Sequence, residues 1–168
     1  RRLLGGLQDN GTIWTDGTGD TRVWKALFPF GDGTSASGFH PVRGDVLFAS
    51  FQSDRFFTNF RNGQLSGWVI TDDPIRPAGE RNTVTLGSGR QFITLDQVNP
   101  NTQFTAFQHV WRTQNNGGDQ AFLEANCRLT TGRAPGAICG DWVPLGVPYP
   151  FTGTTPDHPS RQPGDLTS

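Results

Sequence analysis

Short apolar runs of strand length recur along the chain and predict β-strands rather than helices. The segments "DVLFASFQ" (residues 45–52) and "TQFTAFQ" (residues 102–108) are first strands, and "RFFTNF" and "HVWRTQ" follow them as second strands. "GWVIT" and "DWVPLG" are predicted as third strands, and "RQFITLDQ" is a further candidate. No stretch of about 12 residues keeps apolar positions at helical spacing without an interrupting Gly, Pro or Asn, so long helices are not expected.

Glycine-containing steps between these runs predict tight turns. "RNGQ" and "NNGGD" contain Asn-Gly, which tolerates the positive φ of hairpin turns. In "GLQDNGTIW", a hairpin turn is predicted between "RLLGGLQ" and "TIWTD". Aspartates in such positions cap the backbone amides of the turn. The predicted structural turn residues are Asp9, Asn10, Gly11, Asp32 and Gly33.

The strands belong to an internal repeat. Residues 40–63 align with residues 96–118, with one deletion in the second segment. The matched pairs are Val42 with Val98, Phe48 with Phe104, Phe51 with Phe107, Gln52 with Gln108, Phe56 with Trp111, Thr58 with Thr113, and Gly63 with Gly118. Each segment then reaches a Trp, and the second reaches it only after an insertion that contains both cysteines.

The spacing of the repeat favours one all-β architecture over another. Gln8, Gln52 and Gln108 each follow a small and an apolar residue, and they lie 44 and 56 residues apart. A period of roughly 40–50 residues with several strands is typical of a β-propeller blade. A β-sandwich is the rival architecture, but it does not require units of similar sequence.

Composition and charge narrow the function classes. The 22 Gly, 12 Pro, 13 Phe and 5 Trp suit many short strands joined by tight turns. The formal charge of −1 provides no basic field for nucleic acid or a membrane surface. No apolar run approaches the roughly 18 residues of a membrane span. The N-terminus lacks the pattern of a signal peptide and has no Met, so we interpret it as a processed end or a cut within a longer protein.

Cys127 and Cys139 flank a polar loop that contains Gly and Pro. We expect a disulfide between them, which implies an oxidising compartment; two free thiols are the alternative. No His shows metal-ligand spacing with either Cys, so no metal site and no cofactor are expected.

The order of these motifs resembles a known family. Gln8-Asp9-Asn10-Gly11, then Gly31-Asp32-Gly33, His40-Pro41 and the turn at residues 112–118 resemble the sortilin-type, BNR/Asp-box repeat β-propellers of secreted glycoside-hydrolase-like proteins. The resemblance covers residues 3 to about 149. An Asp-box reads Ser-x-Asp-x-Gly-x-Thr-Trp, whereas "DNGTIW" has Leu7 and Ile13 at the Ser and Thr positions. The resemblance implies a propeller fold and a secreted, glycan-active protein.

Glycoside hydrolysis needs two carboxylates at a defined separation. The loop "TDDPIRPAGERN" supplies the candidate catalytic residues Asp72, Asp73 and Glu80, with Arg76 and Arg81 as candidate ligand-binding residues. A solvated connection with local ion pairs is the alternative for this loop. Sialidase chemistry is disfavoured, because the single Tyr lies between prolines near the end of the chain and no Arg-Ile-Pro motif is present.

These observations predict an all-β chain made of part of a β-propeller, residues 1–150, with units near 1–30, 31–75 and 90–148. Residues 151–168, rich in Pro, Thr and Ser, form a tail or linker. The expected function is a segment of a secreted or extracytoplasmic glycan-active propeller; the alternative is a non-catalytic scaffold that binds protein or glycan. Expected partners are carbohydrate and either the remaining blades of the same protein or a partner chain, without nucleic acid or membrane.

Overall fold

The computed structural model describes residues 2–7, 11–15, 23–28, 33–51, 55–75, 78, 93–107, 109–129 and 137–146. Over these residues the chain forms three open antiparallel sheets and one short helix, which confirms the all-β prediction. The described helix α1, Gln120–Asn126, has seven residues, in agreement with the expectation that long helices are missing.

Each sheet is a meander in which strands adjacent in sequence are hydrogen-bonded neighbours. The first sheet has the order β1-β2-β3, the middle sheet β4-β5-β6-β7, and the third sheet β8-β9-β10-β11. The strands are β1 Leu3–Leu7, β2 Gly11–Thr15, β3 Lys25–Phe28, β4 Gly33–Phe39, β5 Leu47–Phe51, β6 Arg55–Asn59, β7 Trp68–Ile70, β8 Thr94–Leu95, β9 Gln103–Ala106, β10 Val110–Thr113 and β11 Val143–Leu145.

The predicted turns join these strands. Asn62 and Gly63 have φ values of 48° and 78° in the turn that leads, through a 3-10 turn at Leu65–Gly67, into β7. Asn116 and Gly117 have φ values of 56° and 98° after β10. Positive φ is the reason for Asn and Gly at these places, since other residues rarely adopt it.

The strand registers of the middle and third sheets can be aligned with each other, and they change the predicted alignment by one residue in the second strand. Phe48 pairs with Thr58, ten residues later, whereas Phe104 pairs with Arg112, eight residues later. The hairpin of the third sheet is therefore shorter by two residues, not one. Trp111 occupies the place of Phe57 rather than Phe56, Thr113 that of Asn59 rather than Thr58, and Gly117 that of Gly63. Gln8, Gln52 and Gln108 lie outside the described residues.

The three sheets stack face to face in chain order. The middle sheet packs one face on the first sheet; the contact contains Leu47, Ala49, Phe57 and Trp68 from the middle sheet and Leu4 and Trp14 from the first. Its opposite face carries Phe56, which lies in one cluster with Trp111 and Trp142. We call the face that contacts the next sheet along the chain the forward face, and the other the rear face.

Forward and rear faces occupy the same strand positions in each unit. Alternation along the strands places Leu4 and Trp14 on the forward face of the first sheet, as it places Phe48 and Thr58 on that of the middle sheet. The forward face of each sheet meets the rear face of the next, so the stack is head to tail and repeats one kind of contact.

The tryptophan that precedes or begins the last strand of each sheet shows the effect of this stacking. Trp24, Trp68 and Trp142 are equivalent, because the residue after each one pairs with an equivalent position of the preceding strand. Trp68 and Trp142 lie on rear faces that contact a preceding sheet, and they are 1% and 3% exposed. Trp24 lies on the rear face of the first sheet and is 38% exposed.

Candidate functional site

The connection after β7 carries the predicted carboxylates, and the structure buries two of them. Asp72 and Asp73 are 0% and 4% exposed. The connection is held from its start, because the backbone N–H and the hydroxyl of Thr71 both donate to the carbonyl of Phe56, at 2.9 and 3.2 Å. These two hydrogen bonds to a backbone carbonyl of β6 fix the position of Thr71, where the connection begins.

The Asp73 carboxylate forms a hydrogen bond within the fold. Its Oδ2 accepts a hydrogen bond of 3.0 Å from the backbone N–H of Cys139, and its own N–H donates to the Cys139 carbonyl at 3.1 Å. A buried carboxylate that accepts a backbone N–H removes the cost of leaving that donor unpaired. Asp73 thus ties the exit of the middle sheet to the insertion of the third unit.

Cys127 and Cys139 form a disulfide, as predicted, and both are fully buried. The bridge lies in the insertion between β10 and β11, at the position that the repeat predicts. A disulfide is consistent with an extracytoplasmic location.

The insertion also extends the middle sheet. Arg128 forms an antiparallel bridge with Val69, flanked by hydrogen bonds from Ile70 N–H to the Cys127 carbonyl and from Leu129 N–H to the Trp68 carbonyl, at 2.9 and 3.0 Å. The insertion therefore covers the outer edge of β7, which would otherwise expose unpaired backbone groups.

Two glycines let the insertion approach Thr71 closely. A Cβ on Gly140, whose φ is +121°, would lie 1.9 Å from the Thr71 carbonyl oxygen. A Cβ on Gly117 would lie 2.7 Å from the Thr71 side chain. Since real Cβ atoms essentially never approach heavy atoms below 3.0 Å, a side chain at Gly140 would require the Thr71 backbone to move, and one at Gly117 would require the Thr71 side chain to move.

Equivalent side chains cap the turns that follow β6 and β10. Asn59 Oδ1 accepts from the backbone N–H groups two and four residues later, at 2.8 and 3.0 Å. Thr113 Oγ1 accepts from the N–H groups two and four residues later, at 3.3 and 3.0 Å, and donates to Asp141. Asn59 and Thr113 thus occupy equivalent positions in their sheets, and both cap the turn that follows although they are different residue types.

A second pair of equivalent turns lies at the same end of the sheets, before β5 and β9. His40 Nδ1 accepts from the N–H groups two and three residues later, at 3.1 and 2.8 Å. Asp96 Oδ1 does the same at 2.7 and 3.1 Å. Because Nδ1 is an acceptor, the proton of neutral His40 is on Nε2, which lies 3.1 Å from Asn101 Oδ1 and links the two turns.

One ion pair joins α1 to the middle sheet. Arg61 Nε lies 2.8 Å from Glu124 Oε1. The hydrogen bond from Arg61 lowers the pKa of Glu124 below its ordinary value, against the opposing effect of burial, and the same bond raises the pKa of Arg61.

The structure brings together only part of the predicted site. Glu80, Arg76, Arg81, Asp9, Asn10 and Asp32 lie outside the described residues. Gly11 and Gly33 are the first residues of β2 and β4. The described residues contain no group of three or more His, Cys, Asp or Glu arranged to hold a metal ion.

Two structural features were not predicted. The helix α1 begins after Asp119, whose Oδ1 accepts from Phe122 N–H at 2.8 Å; an Asp followed by a run without Gly or Pro is the signal that indicates it. The turn role of His40 was also missed, although the alignment of Val42 with Val98 already places His40 opposite Asp96.

No known protein family matches the chain, and no match was found among curated proteins or among solved structures. None of the helices in the described ranges is long and apolar enough to span a membrane.

Proposed function

We propose that the chain is a three-unit section of a β-propeller of the sortilin-type, BNR/Asp-box kind, in a secreted, glycan-active protein. The observation that supports this most is the head-to-tail stack, in which the forward face of each meander meets the rear face of the next. Propellers are built by this kind of repetition and close with about four to eight blades. Further sheets would complete the ring.

Within such a propeller, this section binds carbohydrate rather than supplying both catalytic carboxylates. Retaining and inverting hydrolases need two carboxyl groups that reach the substrate. Asp72 and Asp73 are buried, and Asp73 accepts from the backbone of the disulfide insertion. Glu80, Arg76 and Arg81 follow them in the same connection and are the residues we assign to the ligand.

A non-catalytic scaffold that binds protein or glycan is the second candidate. The burial of both adjacent aspartates supports it, because neither carboxylate is open to a sugar from solvent. The two candidates differ in whether glycosides are cleaved once the ring is complete.

Reducing-sugar release and polysaccharide binding by the purified chain test the proposal. We expect no sugar release, and binding to at least one polysaccharide of a plant and microbial panel that is lost in the double variant Arg76→Ala, Arg81→Ala. Arg43→Ala, a change at the turn before β5, is the matched control and should retain binding. Sugar release abolished by Glu80→Gln, with an unchanged circular dichroism spectrum, would restore hydrolysis to this chain. Failure to bind any glycan would contradict the carbohydrate-binding proposal and favour the second candidate, a non-catalytic scaffold that binds a protein partner.

A further inference from the structure

Two equivalent Asn-Gly turns share their backbone conformation but differ in how their side chains are covered. Asn62 and Gly63, like Asn116 and Gly117, combine two residues of positive φ. Asn62 is exposed to solvent, whereas Asn116 is only 2% exposed. The chain has one further Asn-Gly step, at residues 10–11, and residue 10 lies outside the described residues. The two described turns therefore offer the same local sequence to the solvent in one case and bury it in the other.

An Asn-Gly step can modify itself, because glycine has no Cβ to obstruct the attack of its nitrogen on the preceding side chain. The glycine nitrogen bonds to the asparagine Cγ, and the side-chain nitrogen leaves as ammonia with the proton of the backbone amide. A succinimide ring remains, and water opens it. Cleavage between the nitrogen and Cγ gives aspartate, and cleavage between the nitrogen and the main-chain carbonyl carbon gives isoaspartate.

We propose that Asn62-Gly63 is a deamidation site of the folded chain and that the fold protects Asn116-Gly117 from the same reaction. The turn at Asn62 contacts β1 through Arg2, which immediately precedes that strand. The modification therefore places a negative charge at the contact between the first and middle sheets.

The contact with Arg2 favours the reaction at Asn62. Arg2 Nη1 donates a hydrogen bond of 3.2 Å to Asn62 Oδ1, the oxygen that becomes negatively charged when Cγ is attacked. A positively charged donor already in place stabilises such a developing oxyanion. Arg2 is held there by two other contacts: its Nη1 also donates to the Gly44 carbonyl, and its guanidinium carbon lies 4.6 Å from the centroid of the Phe39 ring.

The side chain of Asn116 is held by neutral groups at both ends. Its Nδ2 donates to Asn101 Oδ1 at 3.0 Å, and its Oδ1 lies 3.5 Å from the amide nitrogen of Gln103. Its backbone carbonyl accepts from the Thr58 hydroxyl at 2.9 Å. Attack on Cγ would have to displace these buried contacts, so the reaction at Asn116 requires local opening of the fold.

The attacking nitrogens do not distinguish the two turns. Gly63 N–H donates to Asn59 Oδ1 and Gly117 N–H donates to Thr113 Oγ1, both at 3.0 Å. Because the two nitrogens are restrained alike, the expected difference in rate comes from the exposure of the asparagine side chain and from its contact with Arg2.

The two products affect the turn differently. Aspartate keeps the length of the main chain and places a carboxylate beside Arg2, which makes their hydrogen bond charge-assisted. Isoaspartate adds a methylene group to the main chain at residue 62, whose own N–H donates to the Asp45 carbonyl at 2.8 Å. The isoaspartate product should therefore disturb that hydrogen bond, and the aspartate product should retain it.

Peptide mapping by mass spectrometry tests the site after incubation of the 168-residue chain at mildly alkaline pH. We expect the peptide with Asn62 to convert about tenfold faster than the peptide with Asn116, because only the second requires local opening. The control is the same chain unfolded in urea with its disulfide intact, in which both steps should convert at similar rates. Equal rates in the folded chain would overturn the proposal, as would an unreactive Asn62 over a time in which the unfolded chain converts.

A pair of charge-matched variants tests the role of Arg2. Arg2→Gln should slow the conversion of Asn62 about threefold, since it removes the charge that stabilises the oxyanion. Arg43→Gln is the matched control and should keep the wild-type rate, because Arg43 Nη2 donates to Asp45 and Gln120 instead. Circular dichroism spectra that match before incubation show that both variants are folded. A rate that Arg2→Gln leaves unchanged or raises, or that both variants lower equally, would overturn the assignment of Arg2.

Discussion

The middle and third sheets follow the same strand plan, and the difference between them lies in what covers each face. Phe56, on the forward face of the middle sheet, is 1% exposed, whereas Val110, at the same position of the third sheet, is 37% exposed. Among the described residues, the middle sheet packs against a neighbouring sheet on each face, whereas the third packs against the middle sheet alone. Position in the repeat decides which side chains point to a face, and the neighbouring sheet decides whether that face is buried.

The two sheets differ most in the connection before their last strand. In the middle sheet it is a short turn with a single 3-10 turn, Leu65–Gly67. In the third unit it is an insertion with α1 and a disulfide, and it returns to pair with β7 and to contact Thr71. The insertion of the third unit therefore extends the edge of the middle sheet and stabilises the contact between the two units.

The largest effect is expected where the insertion crosses Thr71. Gly140→Ala would place a methyl group 1.9 Å from a backbone oxygen, so we expect a loss of about 4 kcal/mol in the free energy of unfolding, or failure to fold. Gly146→Ala is the matched control: its φ is +69°, and its Cβ would meet nothing within 4 Å. It should cost only about 1 kcal/mol from backbone strain. Urea unfolding of both variants measures the difference; equal losses would contradict the close approach.

The disulfide lies in the same insertion between β10 and β11, so removing it should also destabilise the protein. Cys127 and Cys139 are 12 residues apart, so the double variant Cys127→Ala, Cys139→Ala should lose about 3 kcal/mol by the chain-entropy relation. Mass analysis with alkylation, with and without reductant, checks the bond itself. Two thiols that react without reductant would contradict the structure.

The turn caps sharpen the equivalence of the two sheets. Asn59→Ala leaves two turn N–H groups of the middle sheet without an acceptor and should cost about 2 kcal/mol. Asn59→Thr should cost less, because threonine performs this role at position 113. The two urea midpoints decide the matter; a threonine variant no more stable than the alanine variant would contradict the equivalence.

The smallest effect is expected at the ion pair between α1 and the middle sheet. The folded-state pKa of Glu124 is lowered, so the stability that the pair contributes is present above the pKa of the unfolded carboxyl. It is lost as pH falls through the folded-state pKa. The urea midpoint of Glu124→Gln should therefore lie slightly below that of wild type at neutral pH and coincide with it in acid. A difference between the two urea midpoints that grew as the pH fell would contradict the lowered pKa of Glu124.

Sequence patterns predicted the repeated strands, the Asn-Gly turns and the disulfide, because each depends on residues close in the chain. The register of the second strand was off by one, since Phe56 and Phe57 are both aromatic and either could be aligned with Trp111. The burial of Asp73 could not be predicted, because its partner is the backbone of Cys139, 66 residues away. A carboxylate in a loop has the same local pattern whether it faces a substrate or a distant N–H.

The head-to-tail stack is tested most directly by the coupling between Phe56 and Trp142, which lie on different units. A double-mutant cycle with Phe56→Leu and Trp142→Phe, measured by urea unfolding at one protein concentration, reports the energy that the two rings share. We predict a coupling of about 1 kcal/mol, as measured for aromatic pairs in contact, and additive effects for the control pair Phe56→Leu and Val98→Ala. Additive effects for Phe56 and Trp142 as well would contradict the stacking of the middle sheet on the third.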